Sequence, residues 1–515
     1  MQEDFRLIGD FTPTELNDSG ITLVAPGLQG RGTWLSRRET GETRAFTGEQ
    51  GTLDQAIAES GAEDRHTLVL EAPTPAAVGG GVRGGPGTGN VADDELLLQV
   101  PLAPGEAAVV MYTDEAGVIS FHYGQPLAAA LPDLPSRAFG AGQQVQFRLR
   151  LRTGESHGTG ESRGLVGRMV AKVIKVLVVK VFPDQVGSFA ARRVQAWEQQ
   201  YRAQQGLHGG GWAQLLDARP TPLPGLTPLV GRRSLLLIHG TTSTTAGAFA
   251  GMARSPALLD RLATLYQGRV LGFNHHTMSV SVAENVRELY AALSAVSGEY
   301  HFDVICHSRG GLLARALAHL ADEDVAALTG SAWRRPAHVK LRIGRIVFVA
   351  TPNAGTALAD PPRIPTFVER LTNYVNLLPD AALTIGAGAL LSLAGAVAEV
   401  GLPRLPGLAD QAPGSPLQRK LAPPQGGTEG FHAFCANYQP EGNLVSVIKN
   451  AAVDRIFATE PNDLVVPTGG VACTPHYELP ADRVFSFEPG RHVHHSAFFA
   501  QPEFAKAGDW LAAGR

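Results

Sequence analysis

The sequence lacks an excess of charge of either sign and is poor in cysteine. Its 515 residues include 44 lysines and arginines against 48 aspartates and glutamates, which gives a formal net charge of −4. Binding to a nucleic-acid backbone needs a positive excess, so we do not expect nucleic acid as a partner. Three cysteines, Cys306, Cys435 and Cys473, are too few for a disulfide framework. These features predict a protein of a reducing compartment, the cytoplasm.

The patterns of a leader peptide and of a clear membrane span are also not seen in the sequence. The first residues, Met-Gln-Glu-Asp-Phe-Arg-Leu, have neither a basic start nor an apolar core, which predicts that no signal peptide is present. Residues 381–398 carry no charge and approach the length of a membrane helix, but several glycines interrupt them. With 44% apolar and 18% charged residues, the chain is predicted to fold into globular domains.

Residues 1–160 carry the periodicity of β-strands. Val145, Phe147 and Leu149 alternate with polar residues, which is the pattern of a half-buried strand. Two apolar runs, 108–112 and 118–123, flank the turn sequence Asp-Glu-Ala-Gly and predict a hairpin. Helical patterns of comparable strength are missing from this part of the sequence. We therefore predict an N-terminal all-β domain resembling a small sandwich.

Residues 161–230 are predicted to connect two domains through helices and a proline-rich linker. The stretch 165–182 is rich in Val, Ile and Leu, with Arg168, Lys172 and Lys175 at helical spacing. Such a basic helix either lies on a membrane surface or packs between domains. Its many β-branched residues favour packing. Residues 220–228, with four prolines, predict a linker.

From residue 231 to residue 515, predicted strands alternate with predicted helices. Ser281 and Glu284 form a capping box ahead of a helix with Val286 and Leu289 on its apolar face. Continuous apolar strands between helices predict a mostly parallel sheet covered on both faces, hence an α/β domain. The strands are predicted at residues 234–238, 270–273, 303–306, 346–350, 455–459 and 484–487.

The strongest chemical signal is the run Val-Ile-Cys-His-Ser308-Arg-Gly-Gly. A predicted strand ends, a serine follows and a helix begins with small residues, as in a nucleophile elbow. The strand and the helix approach closely there, so small residues are needed two positions before and two positions after the serine. Gly310 meets this requirement, whereas Cys306 replaces the usual glycine.

A second loop predicts where an oxyanion would be stabilised. The run Leu-Leu-Ile-His239-Gly240-Thr241 follows an early apolar strand. In hydrolases with such an elbow, one N–H comes from this loop and another from the residue after the nucleophile. We therefore expect the backbone N–H groups of Thr241 and Arg309 to form the hole, with Thr242 as a substitute. His239 is expected to hold the loop backbone, which Gly240 supports, without transferring a proton.

Ser308 also needs a base and an acid, and the expected chain order is serine, acid, histidine. Three histidines, His492, His494 and His495, follow the last predicted strand, and their pattern alone leaves the choice of base open. Neither a carboxylate nor a cysteine stands near them at ligand spacing, so we predict no metal.

The acid is predicted at Asp463, in a polar turn after a strand, where it would orient the imidazole. An Asn-Asp pair is also common in plain turns. Glu460 and Asp482 are weaker candidates, because neither combines a turn with a preceding strand.

Together these motifs resemble bacterial lipase-like α/β-hydrolases over residues 231–515. The resemblance rests on Leu-Leu-Ile-His239-Gly-Thr, Cys-His-Ser308-Arg-Gly-Gly, Thr351-Pro-Asn-Ala-Gly-Thr and Asn-Asp463-Leu-Val-Val. It implies an α/β-hydrolase fold without a cofactor. It also implies His495 as the base, since the catalytic histidine in such enzymes often precedes a stretch like Ser-Ala-Phe-Phe. His494 is the alternative base.

The resemblance gives residues 357–440 a role as a lid or cap inserted between the nucleophile and the acid. Residues 381–398 are the most apolar part of this insertion. A lid that opens on lipid and a static cap are both open interpretations, and both are favoured over a membrane span.

The function expected is that of a serine carboxylic-ester hydrolase, a lipase or esterase. Its substrate would be a lipid or another small acyl ester, processed through an acyl-enzyme, with peripheral contact to a lipid surface. Acyl transfer or amide cleavage by the same triad is an alternative. A second alternative is a catalytically silent hydrolase domain used for interaction. The sequence does not identify a protein partner of the N-terminal domain.

Overall fold

The chain was described from a computed structural model. The residues described are 2–16, 19–25, 28–36, 63–75, 95–103, 106–113, 119–126, 143–150, 171–180, 198, 212–215, 220–222, 225–359, 405–421, 427–439 and 460–513. They divide on either side of residue 190 into two compact units, which we call the N-terminal unit and the C-terminal unit.

The N-terminal unit consists of two antiparallel sheets. One has the strand order β1-β4-β5-β11-β7-β8 and the other has the order β2-β3-β6-β10-β9. Apolar side chains from both sheets, among them Leu98, Phe147 and Ile174, form one shared core, so the unit is a β-sandwich as predicted. The strands are β1 (Gln2–Ile8), β2 (Thr14–Leu16), β3 (Ile21–Val24), β4 (Leu28–Ser36), β5 (Glu63–Pro75), β6 (Glu95–Leu102), β7 (Glu106–Thr113), β8 (Ile119–Tyr123), β9 (Gln125–Pro126), β10 (Gln143–Arg150) and β11 (Ala171–Lys180).

Two sequence patterns in this unit are confirmed. In β10, Val145, Phe147 and Leu149 are buried while the polar residues between them are more exposed. Strands β7 and β8 pair antiparallel, as expected of a hairpin.

The helix predicted at residues 165–182 is wrong over the described residues, because 171–180 form β11. This strand lies between β5 and β7 inside the six-stranded sheet. Ile174, Val176 and Val178 enter the core at strand period, and Lys175 between them pairs with Asp64 at 2.9 Å. The β-branched residues that suggested a buried helix therefore fit the pleated sheet better. The spacing of the lysines did not reflect a helix face.

The C-terminal unit is built on an eight-stranded sheet of order β13-β12-β15-β14-β16-β17-β18-β19. Strands β14 to β19 pair in parallel, which confirms the predicted mostly parallel sheet. Strand β18 lies inside the segment predicted as a lid or cap, 357–440, so the bounds of that insertion were wrong and it ends before the strand. The strands are β12 (Trp212–Leu215), β13 (Pro220–Pro222), β14 (Arg233–Ile238), β15 (Val270–Phe273), β16 (Gly298–His307), β17 (Val339–Val349), β18 (Phe431–Ala436) and β19 (Val484–Phe487).

The linker predicted at residues 220–228 is also corrected. Residues 220–222 form the edge strand β13, which pairs antiparallel with β12. Residues 227–229 form a 3₁₀ turn. An edge strand tolerates proline because one side of it makes no ladder hydrogen bonds. Part of the segment expected to be a connector thus belongs to the large sheet.

Short helices flank the sheet. Helix α3 begins as predicted, with the Ser281 hydroxyl accepting from the Glu284 N–H at 3.1 Å. The helices are α1 (Thr245–Phe249), α2 (Pro256–Tyr266), α3 (Val282–Leu293), α4 (Gly310–His319), α5 (Asp322–Thr329), α6 (Pro406–Ala409), α7 (Pro416–Lys420), α8 (Gly469–Ala472) and α9 (Lys506–Ala512), with 3₁₀ turns at Ala250–Arg254, Ala357–Ala359, Ala481–Arg483, Pro489–Arg491, Phe498–Ala500 and Pro502–Ala505.

The parallel register brings several candidate residues to one edge of the sheet. Ile238 at the end of β14 lies beside Cys306, and His307 at the end of β16 lies beside Val349. Loops that follow parallel strands emerge at the same edge, so the loops after β14, β15, β16 and β17 meet there.

Two expectations lie outside the described residues. They are the strand at 455–459 and the apolar run 381–398 of the insertion. Among the helices that the structure describes, none has the length and apolarity needed to cross a membrane.

Candidate active site

Ser308 occupies a strained turn between β16 and α4. Its φ is +52°, a left-handed conformation that non-glycine residues adopt rarely. Its N–H donates to the Val349 carbonyl at 2.9 Å, and its own carbonyl accepts from the Gly311 N–H at 3.0 Å. The strand, sharp turn and helix have the geometry of a nucleophile elbow. With the mostly parallel sheet, this turn identifies the C-terminal unit as an α/β-hydrolase fold.

Close approach of backbones explains the small residues around this turn. A Cβ on Gly310 would lie 2.4 Å from the Ile238 carbonyl oxygen, so a side chain there would collide with backbone. A Cβ on Gly240 would lie 2.7 Å from the Ser308 Cβ. The loop after β14 is therefore packed directly against Ser308.

Cys306, which replaces the usual glycine of the elbow, turns its thiol into the sheet. The Sγ donates to the Val347 carbonyl at 3.4 Å, and the residue is fully buried. Burial raises the pKa of this thiol, so it stays protonated and takes no part in proton transfer.

Asp463 and His495 are hydrogen bonded to each other, although 32 positions separate them. His495 Nδ1 lies 2.8 Å from Asp463 Oδ2, and the two residues are 5% and 2% exposed. Because a carboxylate only accepts, Nδ1 carries a proton, so in the neutral imidazole the lone pair is on Nε2. The backbone repeats the contact, with the His495 N–H donating to the Asp463 carbonyl at 3.1 Å.

The other carboxylate oxygen is held by the turn that follows it. Asp463 Oδ1 accepts from the N–H groups of Val465 and Val466 at 3.0 and 2.8 Å. Leu464, directly after Asp463, has φ +87°, and its N–H donates to the Asn462 side chain at 2.9 Å. This turn fixes the orientation of the carboxylate toward His495.

The Thr351-Pro-Asn-Ala-Gly-Thr356 run after β17 supports the Asp463 loop. The Thr356 hydroxyl donates to the Val465 carbonyl at 2.7 Å, and the Asn353 amide donates to the Val471 carbonyl at 2.8 Å. The sequence suggested a family motif here without a structural role for it.

His307 joins the elbow to the histidine loop, and sequence reasoning missed it. Its Nε2 lies 2.8 Å from the His495 carbonyl oxygen, and the two rings are 4.9 Å apart. Burial, with His495 nearby, lowers the pKa of His307 to about 3, so the ring is neutral and donates this bond. The available signal was its position directly before the serine.

The other histidines of the cluster have different neighbours. His494 stacks edge-on with Tyr438, and burial lowers the pKa of His494 to about 4. His492 Nδ1 bonds the Gln439 carbonyl at 2.6 Å. The weaker acid candidates, Glu460 and Asp482, are exposed. Among the described residues, no group of three or more His, Cys, Asp or Glu side chains is arranged to hold a metal ion.

Thr241 and Arg309, the residues predicted to supply N–H donors, flank the Ser308 turn. Within the described part of the chain, neither backbone N–H has an acceptor. The Thr242 N–H, in contrast, donates to the Thr277 hydroxyl at 3.0 Å and is already occupied. His239 bonds the Gly240 carbonyl through Nδ1 and accepts from the His275 N–H through Nε2. Both ring nitrogens of His239 thus hold loop backbone.

The Arg309 side chain is a buried anchor that the sequence did not reveal. Its guanidinium donates to the carbonyl oxygens of Gly407 and Val280 at 3.0 and 2.8 Å, and to the Asn285 side chain at 3.0 Å. Burial lowers the pKa of the Arg309 guanidinium, although nearby carboxylates act in the opposite direction. These bonds fix the position of Arg309, whose backbone N–H is one of the two expected oxyanion donors.

Comparison with known proteins gives one family match. A family model described as "Domain of unknown function (DUF7379)" matches residues 204–512. The chain belongs to this family. The match spans the β12–β19 sheet and every candidate site residue of this DUF7379 protein, and the family description names no activity. No curated protein matches.

Solved structures give weaker likenesses to the DUF7379 protein. EstA from Clostridium botulinum is 13% identical over 55% of this chain and 88% of its own, with a TM-score of 0.36. Lipase 1 from Pelosinus fermentans is 13% identical over 55% and 99%, with a TM-score of 0.35. The NocB thioesterase domain of the nocardicin cluster is 15% identical over 55% and 94%, with a TM-score of 0.25.

Proposed function

We propose that this DUF7379 protein is a serine carboxylic-ester hydrolase. The observation that carries the proposal is the bond between His495 Nδ1 and Asp463 Oδ2 beside a strained Ser308 turn. The loop of His495 is bonded to His307, the residue before Ser308. A buried imidazole oriented by a carboxylate activates a serine hydroxyl that comes within hydrogen-bond reach of it.

The proposed reaction proceeds through an acyl-enzyme. His495 Nε2 takes the proton of the Ser308 hydroxyl as Oγ attacks the ester carbonyl. The N–H groups of Thr241 and Arg309 stabilise the negative oxygen that forms. His495 then gives the proton to the leaving alcohol, and a water activated in the same way releases the acid. Asp463 keeps the imidazole oriented and stabilises its charged form. The reaction uses side chains and backbone only, without a cofactor.

We propose that the insertion after β17 caps the acyl site. In its described part, the Gln411 amide donates to the Thr241 hydroxyl at 3.2 Å, and the Gly407 N–H donates to the Met278 carbonyl at 3.0 Å. These contacts support a cap whose residues 405–411 are fixed to the loops after β14 and β15. An acyl ester, of lipid or of another small molecule, is the substrate class proposed for the covered site.

The cytoplasm remains the proposed location. Cys306, Cys435 and Cys473 are all free thiols in the structure, which suits a reducing compartment.

Hydrolysis of p-nitrophenyl esters from acetate to palmitate tests the proposal. We expect turnover that Ser308→Ala abolishes, while Ser331→Ala, at an exposed serine that bonds the Arg287 side chain, leaves it unchanged. Equal rates for wild type and Ser308→Ala would overturn the catalytic role and favour a silent interaction domain. Flat activity across chain lengths would contradict a capped acyl pocket. Parallel assays with amides, and with added alcohols as acceptors, separate hydrolysis of esters from amide cleavage and acyl transfer.

A further inference from the structure

Glu198 is a buried carboxylate that the proposed reaction does not use. It is 5% exposed and lies in the C-terminal unit, ahead of the region that the family model matches. Its Oε1 accepts from the N–H groups of Thr277 and Met278 at 2.5 and 3.0 Å. Its Oε2 accepts from the N–H and the hydroxyl of Ser279 at 3.1 and 2.5 Å.

Among the described residues, five groups donate hydrogen bonds to this carboxylate. The fifth is the Thr277 hydroxyl, 2.9 Å from Oε1. A carboxylate accepts at both oxygens, whereas an amide or a protonated acid would direct a donor at one of these N–H or O–H groups. Both oxygens of Glu198 are therefore held by hydrogen bonds from residues 277–279, and an amide at this position would lose at least one of them.

The Thr277 hydroxyl connects Glu198 to the loop after β14. Since it donates to Glu198, its lone pair is directed to the Thr242 N–H, 3.0 Å away. Thr242 has φ +57°, which is unfavourable for a β-branched residue and persists only where surrounding contacts hold it. Thr241, the proposed oxyanion donor, directly precedes this strained residue.

The segment of residues 274–280, which we call the anchor loop, holds the site at further points. Its Asn274 side chain accepts from the Thr245 N–H at 2.8 Å, and its His275 N–H donates to His239 at 3.1 Å. Its last carbonyl, of Val280, accepts from the Arg309 guanidinium. Arg309 is thus bonded to the segment that Glu198 binds, and Thr241 is connected to it through the next residue, Thr242.

We propose that Glu198 is a positioning residue for the oxyanion hole, acting through Thr277 and the strained Thr242. The inference rests on the proposed function, because it assigns a task to the Thr241 N–H. Oxyanion donors stabilise the transition state more than the bound substrate. Loss of Glu198 should therefore lower kcat and leave KM nearly unchanged.

The test measures kcat and KM for a p-nitrophenyl ester with the full chain. Loss of one oxyanion donor lowers kcat by about 10²–10³-fold. Glu198→Gln is expected to displace the Thr241 N–H without removing it. We therefore expect a smaller loss in kcat, about 10–100-fold, with KM within about twofold of the wild-type value. Thr277→Val keeps the side-chain shape and removes only the bridging hydroxyl. We expect its loss in kcat to be similar and the double variant to be no slower than the slower single variant.

Asp303→Asn is the matched control. Asp303 is another buried carboxylate of the same unit, bonded to Arg233, Tyr266 and the Arg345 N–H. We expect Asp303→Asn to lower the melting temperature but to keep kcat per folded molecule within about twofold.

The outcomes separate the two proposals. If wild type shows turnover that depends on Ser308 and folded Glu198→Gln retains kcat within about twofold, the role of Glu198 is refuted while the proposed function stands. If Glu198→Gln does not fold, Thr277→Val decides, and an unchanged kcat refutes the inference. If the losses in kcat of Glu198→Gln and Thr277→Val multiply in the double variant, the two residues act independently, and this outcome also contradicts the inference. A wild type without Ser308-dependent turnover refutes the proposed function and this inference with it.

Discussion

Replacing Asp463 by asparagine should move the imidazole proton of His495 from Nδ1 to Nε2. Asp463 Oδ1 is held by the N–H groups of Val465 and Val466, which require an acceptor at that position. The asparagine oxygen will therefore occupy it and direct the NH₂ group at His495. An NH₂ group cannot accept from Nδ1–H, so the imidazole will carry its proton on Nε2. Nε2 then has no lone pair with which to accept the proton of the Ser308 hydroxyl.

The expected loss is large because the base is in the wrong tautomer in nearly every molecule. In enzymes with this triad, the same exchange lowers kcat by about 10⁴-fold, which corresponds to about 5 kcal/mol in the activation free energy. The assay is steady-state hydrolysis of p-nitrophenyl acetate, with the concentration of folded protein checked by circular dichroism.

Asp482→Asn is the matched control. Asp482 is exposed in a 3₁₀ turn and was a rival candidate for the acid. We expect this variant to retain full activity. A loss of less than tenfold in Asp463→Asn, or a large loss in Asp482→Asn, would refute the assignment of the acid.

Three further predictions concern the elements around the site. Gly310→Ala puts a Cβ 2.4 Å from a backbone oxygen of β14, so we expect a loss of about 1–3 kcal/mol in the free energy of unfolding and a loss of most activity. Gly225→Ala, with open space around it, is the control and should change neither quantity. An unchanged melting temperature in Gly310→Ala would contradict the close packing. Because burial lowers the pKa of His307 to about 3, the unfolded chain binds one more proton than the native state between pH 6.5 and 3. The free energy of unfolding should then fall by up to about 1.4 kcal/mol per pH unit as the pH drops through that window. In His307→Gln, thermal unfolding measured at several pH values should lack this contribution to the pH dependence. Thr356→Val removes a buried 2.7 Å hydrogen bond to the Asp463 loop; we expect a loss of about 1 kcal/mol in stability and about tenfold in kcat, and an unchanged kcat would show that this bond does not position the acid.

The elbow could be predicted because its signals are local. A buried strand, a serine and small residues within eight positions require a sharp turn wherever the rest of the chain lies. The geometry of Ser308 and the need for Gly310 follow from that requirement. The turn around Asp463 and the chain order predicted the acid, and the resemblance favoured His495 over His494 as the base. The structure brings His495 Nδ1 to Asp463 Oδ2.

Longer-range features could not be predicted from local patterns. Glu198 contacts a loop 79 positions away, and a single carboxylate in the sequence gives no indication of such a partner. The buried Arg309 side chain likewise depends on Gly407 and Asn285 from distant elements. In residues 171–180 a short apolar run fitted both helix and strand periods, and pairing with β5 and β7 decided between them.

Covalent labelling of the serine tests the central claim most directly. The protein is incubated with a fluorophosphonate, which reacts with an activated serine, and the site of the added mass is located by peptide mass spectrometry. We predict one label per chain on Ser308, none on Ser308→Ala, and slow labelling of Asp463→Asn. Absence of labelling in the folded wild type, or a label on another residue, would contradict the account.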